Sequence, residues 1–355
     1  MSQYLVLSHI DIQNANSIAG FTWGFPAITG FLGFNHALSR KISIQFDGEF
    51  DTTFDGCAVV CHKCQNKVYQ PKKYADFEFI QSRNPPVLEK NKNGKKVPVI
   101  EEGKVNLSVS LVIQLGKNLL LNEEQIQQFE QRVLSVCYGL RIAGGSILNI
   151  KQAKLLSANT QDQQRTMLRK IKRLTLPGFA LFDRRYYLKE HYQTLLANYV
   201  GGLEDKPTLF DAWLDFCALK SKAIPILRDG QSDPDSSTDA DWQYLPKPKS
   251  GYLVPLMTGY KAISEVYEPD KVANTRDKKT PCCFVEAIHS IGEWKGVHLI
   301  DSIESAIWRY KHDGQWYLCE QDMSSASSDD SKAEPMNNEK YLLQTLNFND
   351  ALNNW

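Results

Sequence analysis

Apolar residues recur at every second position over 105–113, the period of a strand that buries one face. Less regular versions of the same pattern predict strands over 5–13 and 54–68, and a short apolar segment covers 142–150. The first half of the chain is therefore predicted to contain a sheet.

Two helices are predicted between these strands. The first opens near Pro26, whose missing N–H does no harm in a first turn, and ends near Ile42. The second follows Asn122, with Gln125 in capping-box position, and ends at Gly139. The order β-α-β, excursion, β-α-β predicts an α+β fold with a ferredoxin-like core, the topology that RNA-recognition modules share.

The excursion, at about 70–104, is predicted to form a protruding β-hairpin, which we call the thumb. Asn93-Gly94 is the strongest short hairpin signal, because both central residues of a type I′ turn need positive φ. Lysines surround this dipeptide and make the predicted tip basic: Lys90, Lys92, Lys95 and Lys96.

The pattern changes after the core, and we predict five segments. These are a core with its thumb over 1–155, a basic helical segment over 156–225, an acidic polar loop over 226–250, an α/β part over 251–320, and a polar tail over 321–355 that is partly disordered around 324–338.

Composition excludes several classes of protein. The chain has 355 residues and is 42% hydrophobic, with 41 basic and 41 acidic side chains, so local patches rather than net charge decide nucleic-acid binding. No signal peptide and no long apolar run is found, and the eight irregularly spaced cysteines suggest reduced thiols. A cytoplasmic protein without membrane segment or cofactor is expected.

Two basic features are candidates for phosphate contacts. Arg165, Arg169 and Arg173 are spaced by four on a predicted helix with few nearby acids, which makes this stripe a candidate for phosphate binding, with an acidic partner surface and a plain solvated face as the competing interpretations. Gly144-Gly145, beside Arg141, could let a phosphate approach the backbone closely, although an ordinary turn explains the pair equally well.

Metal and acid–base chemistry are weakly indicated. Strand alternation would place Cys57 and Cys61 on one face and His62 and Cys64 on the other, so apolar packing is favoured over a zinc site. His36 could act as a general base, but no partner group is placed near it, and a packed helix histidine is favoured.

Motifs along most of the chain resemble one protein family. They are Ile12-Gln13-Asn14-Ala15-Asn16, Thr22-Trp23-Gly24-Phe25-Pro26, Gly30-Phe31-Leu32-Gly33-Phe34-Asn35-His36-Ala37-Leu38, Ser82-Arg83-Asn84-Pro85, Val99-Ile100-Glu101-Glu102-Gly103, Arg141-Ile142-Ala143-Gly144-Gly145-Ser146-Ile147-Leu148, Leu176-Pro177-Gly178-Phe179-Ala180-Leu181, Gly251-Tyr252-Leu253-Val254-Pro255, Asn274-Thr275-Arg276-Asp277, Phe284-Val285-Glu286 and Gly292-Glu293-Trp294. The chain resembles the second subunit of the type I-F CRISPR Csy surveillance complex, in the Cas five group of the RAMP superfamily.

The resemblance implies a ferredoxin-like core with a thumb and a role in antiviral defence. It also implies that the chain binds the 5′ handle of the CRISPR RNA, pairs with the large Csy subunit, caps a filament of backbone subunits and reaches target DNA through the complex. Cleavage of the RNA belongs to a separate endonuclease in such systems. The RNA contacts that we expect are Asn14, Asn16, Trp23, Arg83, Asn84, Lys90, Lys92, Lys95, Lys96, Arg141, Gly144, Gly145, Ser146, Arg165, Arg169 and Arg173.

Two alternatives stay open. The chain could be a metal-independent RAMP-type endoribonuclease that processes precursor CRISPR RNA through His36 and lysines of the excursion. It could also be a purely structural adaptor between proteins.

Overall fold

The computed structural model describes residues 2–45, 50, 52–83, 99–202, 206–226, 238–275 and 277–322. Within these ranges the chain is α+β, with one large antiparallel sheet and five α-helices. None of the described helices is both long enough and apolar enough to cross a membrane.

The first half of the chain alternates long strands with two helices. The elements are β1 (Ser2–Asn16), β2 (Ile18–Ala19), β3 (Thr22–Trp23), α1 (Ile28–Gln45), β4 (Phe54–Asn66), β5 (Val68–Tyr69), β6 (Glu78–Phe79), β7 (Gln81–Arg83), β8 (Val99–Glu101), β9 (Lys104–Leu115), α2 (Glu123–Tyr138), β10 (Arg141–Ile142) and β11 (Gly145–Ala158).

The second half has three helices and then strands. The elements are α3 (Gln161–Thr175), β12 (Phe179–Asp183), α4 (Arg185–Ala197), α5 (Leu209–Cys217), β13 (Ser221–Pro225), β14 (Ala240–Tyr244), β15 (Leu253–Ala262), β16 (Val285–Gly296), β17 (Trp308–Asp313) and β18 (Trp316–Gln321).

Ten strands form the main sheet, in the order β10-β11-β1-β9-β4-β12-β16-β15-β18-β17. The long strands of the first half are neighbours in the order β11-β1-β9-β4, and every pair among them is antiparallel. At the other end the sheet curls back, because Trp308 of β17 pairs with Cys57 of β4. Six strands, from β4 through β12, β16, β15 and β18 to β17, therefore form a closed ring that shares β4 with the rest of the sheet.

Helices cover the sheet on both sides. Residues of α1 and α2, such as Phe31 and Phe129, pack into the largest apolar core on one face. Helix α3 packs Met167 and Ile171 against a smaller core on the opposite face. Helices α4 and α5 bury Leu188 and Phe216 against β15 and β16 of the ring.

The local sequence signals for helices are confirmed. Asn122 and Gln125 form the predicted capping box of α2, and Gly139 is its C-terminal cap. The predicted basic helix is α3, whose own capping box joins Thr160 to Gln163. Helix α1 begins at Ile28, two residues later than predicted.

One prediction about the second half is wrong. The segment 251–320 was expected to be α/β, but its described residues form four strands and two 3₁₀ turns, at Val297–Leu299 and Glu304–Ala306. Strand β16 is buried on both faces around Ser290, Ile291 and Gly292, so its apolar residues do not alternate as they would on a half-exposed strand. Residues 227–237 of the predicted acidic loop and 323–355 of the tail lie outside the described residues.

Candidate nucleic-acid interface

Separate segments of the chain meet at the end of the sheet where β1 finishes. Asn16 N–H donates to Ala143 O at 2.9 Å, which ties β1 to the turn between β10 and β11. Asn14 N–H donates to Asn106 Oδ1 on β9 at 3.2 Å, and Lys67 Nζ donates to Asn14 Oδ1 at 2.5 Å. We call this group the sheet-end cluster: Asn14, Asn16, Lys67, Asn106, Arg141, Gly144 and Ser146.

The turn in this cluster has a conformation that favours glycine. Ala143 has a φ of 47° and Gly144 a φ of 79°, the two positive values of a tight hairpin turn of the primed type. Arg141 Nη1 donates to Gly144 O at 3.2 Å across the turn. The turn therefore places a guanidinium beside exposed backbone, and Ser146 is exposed on the next strand.

Gly145 differs from its neighbour, since it is buried in β11 and not in the exposed turn. A Cβ atom at this position would lie 2.6 Å from Ile12 Cγ2 and 2.8 Å from Ala15 N. The missing side chain therefore lets β11 pack closely on β1. A contact between Gly145 and RNA stays a prediction.

A polar face of the sheet adjoins the cluster, on the side opposite α1 and α2. Irregularities of register in β1 after Leu7 and in β4 after Cys61 are β-bulges, which change the face to which the following residues point. Ile10 and Ile12 thereby join the large apolar core, while Asp11 between them points away from it. We call the result the polar sheet face: His9, Asp11, Gln13, His62, Lys63, Gln65, Asn106, Ser108 and Lys151.

Two histidines of this face stack on each other across the bulges. The rings of His9 and His62 are 4.1 Å apart between centroids and nearly parallel, at 8°. His62 Nδ1 donates to Pro177 O at 2.5 Å, since a carbonyl can only accept, so Nε2 accepts from Ser110 Oγ at 2.6 Å. Ser110 Oγ in turn accepts from His9 N–H at 2.9 Å. Both ring nitrogens of His62 are therefore occupied by structural hydrogen bonds.

Burial keeps this stacked pair uncharged at neutral pH. It lowers the pKa of His62 to about 4, although the hydrogen bond to Pro177 acts in the opposite direction. Burial is also the main cause that lowers the pKa of His9. The positive charge of Lys151 lowers this pKa further, whereas the negative charge of Asp11 raises it. The positive charge of the face at pH 7 comes from lysines and not from the two histidines.

The comparison with known proteins covers nearly the whole chain. The family model described as CRISPR-associated protein (Cas_Csy2) matches residues 5–319. The chain belongs to the Csy2 family of CRISPR-associated proteins. It is also 36% identical to the CRISPR-associated protein Csy2 of Pseudomonas aeruginosa (strain UCBPP-PA14) over 317 residues, 87% of this chain and 91% of that protein. The family resemblance found in the sequence is confirmed.

The arginine stripe of this Csy2-family chain lies on the outer side of α3. Arg165, Arg169 and Arg173 are exposed, whereas Met167 and Ile171 are buried, as the helical spacing predicts. Arg165 has a weak partner, since its Nη1 lies 3.8 Å from Asp162 Oδ1. Helix α3 covers the sheet on the same side as the polar sheet face, and it ends two residues before Pro177, which accepts from His62.

The thumb of the Csy2-family chain is described at its base. Strands β7 and β8 are antiparallel, with Arg83 opposite Val99, so the chain enters and leaves the segment 84–98 at neighbouring positions. The predicted tip, with Asn84, Lys90, Lys92, Lys95 and Lys96, lies outside the described residues, as does the side chain of Arg83.

Trp23 is exposed on β3, opposite Ile18, whose backbone N–H and C=O both hydrogen-bond to the Asn16 side chain of the sheet-end cluster. The residue is 48% exposed, and its indole meets Phe79 edge-on, with ring centroids 5.2 Å apart. An indole that is already supported on one edge can present a face for stacking, so its predicted contact with RNA remains open.

The predicted arrangement of cysteines needs correction. Because of the bulge after Cys61, Cys64 packs toward the same core as Cys57 and Cys61, while His62 points to the opposite face. In the part of the chain that the structure describes, no three His, Cys, Asp or Glu side chains converge as metal ligands would. His36 is exposed on α1 and not packed as expected, with its ring centroid 6.3 Å from that of Tyr310.

Several residues of this interface were missed in the sequence. His9, Lys67 and Lys151 belong to no motif of their own, and each enters through pairing of distant strands. The polar positions of β9, including Asn106 and Ser108, were visible as the polar half of its alternation. Polar residues at alternate positions of a strand indicate a sheet face that is not covered by an apolar core, so this pattern could have predicted the polar sheet face.

Proposed function

We propose that this Csy2-family chain is a non-catalytic RNA-binding subunit of a type I-F CRISPR surveillance complex. In this role it holds the 5′ handle of the CRISPR RNA, pairs with the large Csy subunit and contacts the filament of backbone subunits. It reaches target DNA through the assembled complex and acts in antiviral defence in the cytoplasm.

The observation that carries the proposal is the sheet-end cluster. Asn14, Asn16, Arg141, Gly144 and Ser146 were expected to contact RNA, and they lie in segments that hydrogen-bond to one another. Amide side chains, a guanidinium and exposed turn backbone are the groups that bind phosphates and sugars. The adjoining polar sheet face adds Lys63 and Lys151, with Asp11 as an acidic member.

The order β11-β1-β9-β4 supports a ferredoxin-like core for this chain. In that topology the first and third strands are central, and here they are β1 and β9, flanked by β11 and β4. Helices α1 and α2 pack on one face, so the opposite face is free for ligands except where α3 and the segment 297–307 cover it. RNA-recognition modules bind single strands on the corresponding face.

Charge removal at the interface tests the proposal. Lys67, Arg141 and Lys151 are changed together to Ala, and the affinity of the full-length chain for single-stranded handle RNA is titrated against salt. Each lost phosphate contact lowers the slope of log affinity against log salt by about 0.7, so we expect a slope lower by about 2.

A matched control removes three exposed cations elsewhere, Arg40 and Lys41 on α1 and Lys189 on α4. It should leave the slope unchanged. Equal slopes for the wild type, the interface variant and the control would refute the phosphate contacts at this site.

The two alternative functions make different predictions in the same preparation. An endoribonuclease would cleave labelled precursor RNA without metal and would lose that activity on His36→Ala. His36 lies on α1, across the sheet from the polar sheet face, so the proposed RNA path does not pass it. A purely structural adaptor would copurify with its protein partners and show no salt-dependent RNA binding.

A further inference from the structure

Helix α3 has a strong excess of positive charge. It contains five cationic side chains, those of the arginine stripe together with Lys170 and Lys172, and one carboxylate, Asp162. Among the described residues, the only ion pair of the stripe is the 3.8 Å contact of Arg165 with that carboxylate. Like charges four residues apart destabilise a helix, so an additional negative partner at the stripe would be favourable.

The tail of the chain has the opposite charge. Between residues 323 and 339 its sequence contains one lysine, Lys332, and four carboxylates: Asp329, Asp330, Glu334 and Glu339. The matched family sequence ends at residue 319, so this stretch lies outside it. We call residues 329–339 the acidic tail segment. Carboxylates are preferred partners of guanidinium groups, so the segment is chemically complementary to the arginine stripe.

The chain enters the tail beside the part of the molecule to which α3 belongs. Gln321, the last residue of β18, donates from Nε2 to Ala306 O at 2.8 Å, and Ala306 belongs to the apolar core that α3 covers. Lys172 Nζ donates to His298 O at 2.9 Å. The segment 297–307 therefore contacts both the end of β18 and α3.

The length of the tail allows the acidic tail segment to reach the stripe. A chain spans at most about 3.5 Å per residue, so Asp329 can lie up to about 25 Å from Asp322, and Glu339 up to about 60 Å. The stripe is about 12 Å long from Arg165 to Arg173, at a rise of about 1.5 Å per residue. A covalent connection of this kind can raise the effective concentration to about millimolar, so weak ion pairs are sufficient for binding.

We propose that the acidic tail segment binds the arginine stripe of its own chain and excludes other polyanions until they displace it. The exclusion rests on the proposed RNA-binding function, whereas the contact itself does not. Handle RNA has further contacts at the sheet-end cluster and can displace the segment. RNA that binds through its phosphates at the stripe is held less tightly, so the tail adds selectivity.

The first experiment tests the contact in the absence of RNA. A carbodiimide joins a carboxylate directly to a lysine, and Lys170 is exposed beside the stripe. The full-length chain is treated at low salt, and cross-linked peptides are identified by mass spectrometry. Cross-links between Lys170 and the acidic tail segment should decrease by at least about fivefold in 0.5 M salt, because exposed charges are then screened within a few ångströms. They should decrease similarly when the three arginines of the stripe are changed to Ala.

An equal mixture of ¹⁵N-labelled and unlabelled chain distinguishes contacts within one chain from contacts between copies. Cross-links that join mainly labelled to unlabelled chains would assign the segment to a second copy and overturn the proposal. Cross-links distributed evenly over the exposed lysines of the chain would overturn it as well.

The second experiment tests the exclusion with an oligouridylate, which provides phosphates without the handle sequence. The tail variant combines Asp329→Asn, Asp330→Asn, Glu334→Gln and Glu339→Gln. At 0.1 M salt it should bind the oligouridylate about threefold to tenfold more tightly than the wild type, the size expected from a few exposed ion pairs. The same four changes should have no effect when the stripe is Ala. No increase in affinity in the tail variant overturns the exclusion.

A matched control changes four exposed carboxylates elsewhere: Asp241→Asn, Asp313→Asn, Glu265→Gln and Glu268→Gln. It has the net charge of the tail variant, and it should keep the cross-links and the wild-type affinity for the oligouridylate. An equal increase in affinity in this control, or an increase that persists without the stripe, would assign the effect to net charge and overturn the proposal. A wild type that binds no RNA removes the proposed function and the exclusion with it, while the cross-links still decide the contact.

Discussion

His62 is fixed by three different parts of the chain. Its ring bonds to Pro177 after α3 and to Ser110 on β9, and it stacks on His9 of β1. In a neutral imidazole one ring nitrogen donates and the other accepts, and the hydrogen bonds to Pro177 and Ser110 use one of each. Protonation would put a proton on Nε2, where Ser110 now donates, and would charge a buried ring.

This geometry predicts how stability depends on pH. The pKa of His62 falls from 6.5 in the unfolded chain to about 4 in the folded protein, so between these values the unfolded state binds more protons. The stabilising contribution is complete above pH 6.5 and is lost as the pH falls toward 4. The loss is on the order of 3–4 kcal/mol, from about 1.4 kcal/mol for each pKa unit. Urea unfolding at a series of pH values measures it.

A pair of variants separates His62 from other titrating groups. His62→Gln cannot titrate and should show a smaller decrease in the free energy of unfolding between pH 7 and pH 4. His312→Gln, at an exposed position of β17, should decrease as the wild type does. An unchanged decrease in His62→Gln would contradict the neutral hydrogen-bonded ring.

Among the elements, those defined by short-range signals were predicted well. The capping box at Asn122 and Gln125 involves residues three apart, so the sequence contains all of it. The bulge after Cys61 depends on the register with β9, a strand more than forty residues away along the chain, and no local pattern marks it. The same holds for the stacked histidines, since His9 and His62 lie on two strands that are far apart along the chain and are separated in the sheet by β9. The cluster residues were found through family motifs, and their mutual contacts were not predictable.

Helix α3 presents a stripe whose partner is testable. Arg165, Arg169 and Arg173 repeat about every 6 Å along the helix, which is close to the spacing of phosphates in an extended strand. Changing all three to Ala should lower the salt slope of RNA binding by about 0.7 for each phosphate contact. The same titration with the Arg40, Lys41 and Lys189 variant provides the control for lost positive charge.

The stripe could instead bind a carboxylate-rich protein surface. In that case RNA affinity would be unchanged and the large Csy subunit would copurify less well. If the triple Ala variant changes neither RNA affinity nor copurification of the large Csy subunit, the stripe is a solvated helix face.

On the scale of the whole molecule, β4 belongs to two assemblies of strands. One edge pairs with β9, and the other pairs with β12 near Val60 and with β17 at Cys57. Trp308 is fully buried at the last of these contacts, and its indole N–H donates to Leu181 O at 2.9 Å. If the six-stranded ring unfolded, β4 would lose its partners on one edge. The strands of the first half, which pair with the other edge of β4, would then end in an unpaired strand.

We expect the two halves to unfold together. Cys137 on α2 and Cys319 on β18 are buried in different halves, and burial raises both thiol pKa values to about 12, so neither reacts while folded. Pulsed alkylation in urea, followed by mass spectrometry, should expose both at one midpoint. Gly56→Ala places a methyl group against Trp308 O and should lower both midpoints, by about 1–3 kcal/mol of stability.

Gly33→Ala is the control, because a methyl group there meets no atom within 4 Å and replaces a glycine in a helix. It should raise stability by about 0.5–1 kcal/mol. Exposure of Cys319 at a lower urea concentration than Cys137 would mean that the ring unfolds alone.

The bulge after Cys61 also limits how a gene for this protein can change in length. Successive side chains of a regular strand point to opposite faces of the sheet, so loss of an odd number of residues reverses the faces of all the residues that follow. Cys61 and Cys64 both face the apolar core with two residues between them, so loss of the codon for His62 would restore plain alternation and keep Lys63 and Gln65 on the polar sheet face. Loss of the codons for both His62 and Lys63 would instead turn Cys64 out of the core and Gln65 into it. A single-codon loss should therefore survive at the bulge, whereas losses at the regularly alternating positions of this strand should survive in pairs.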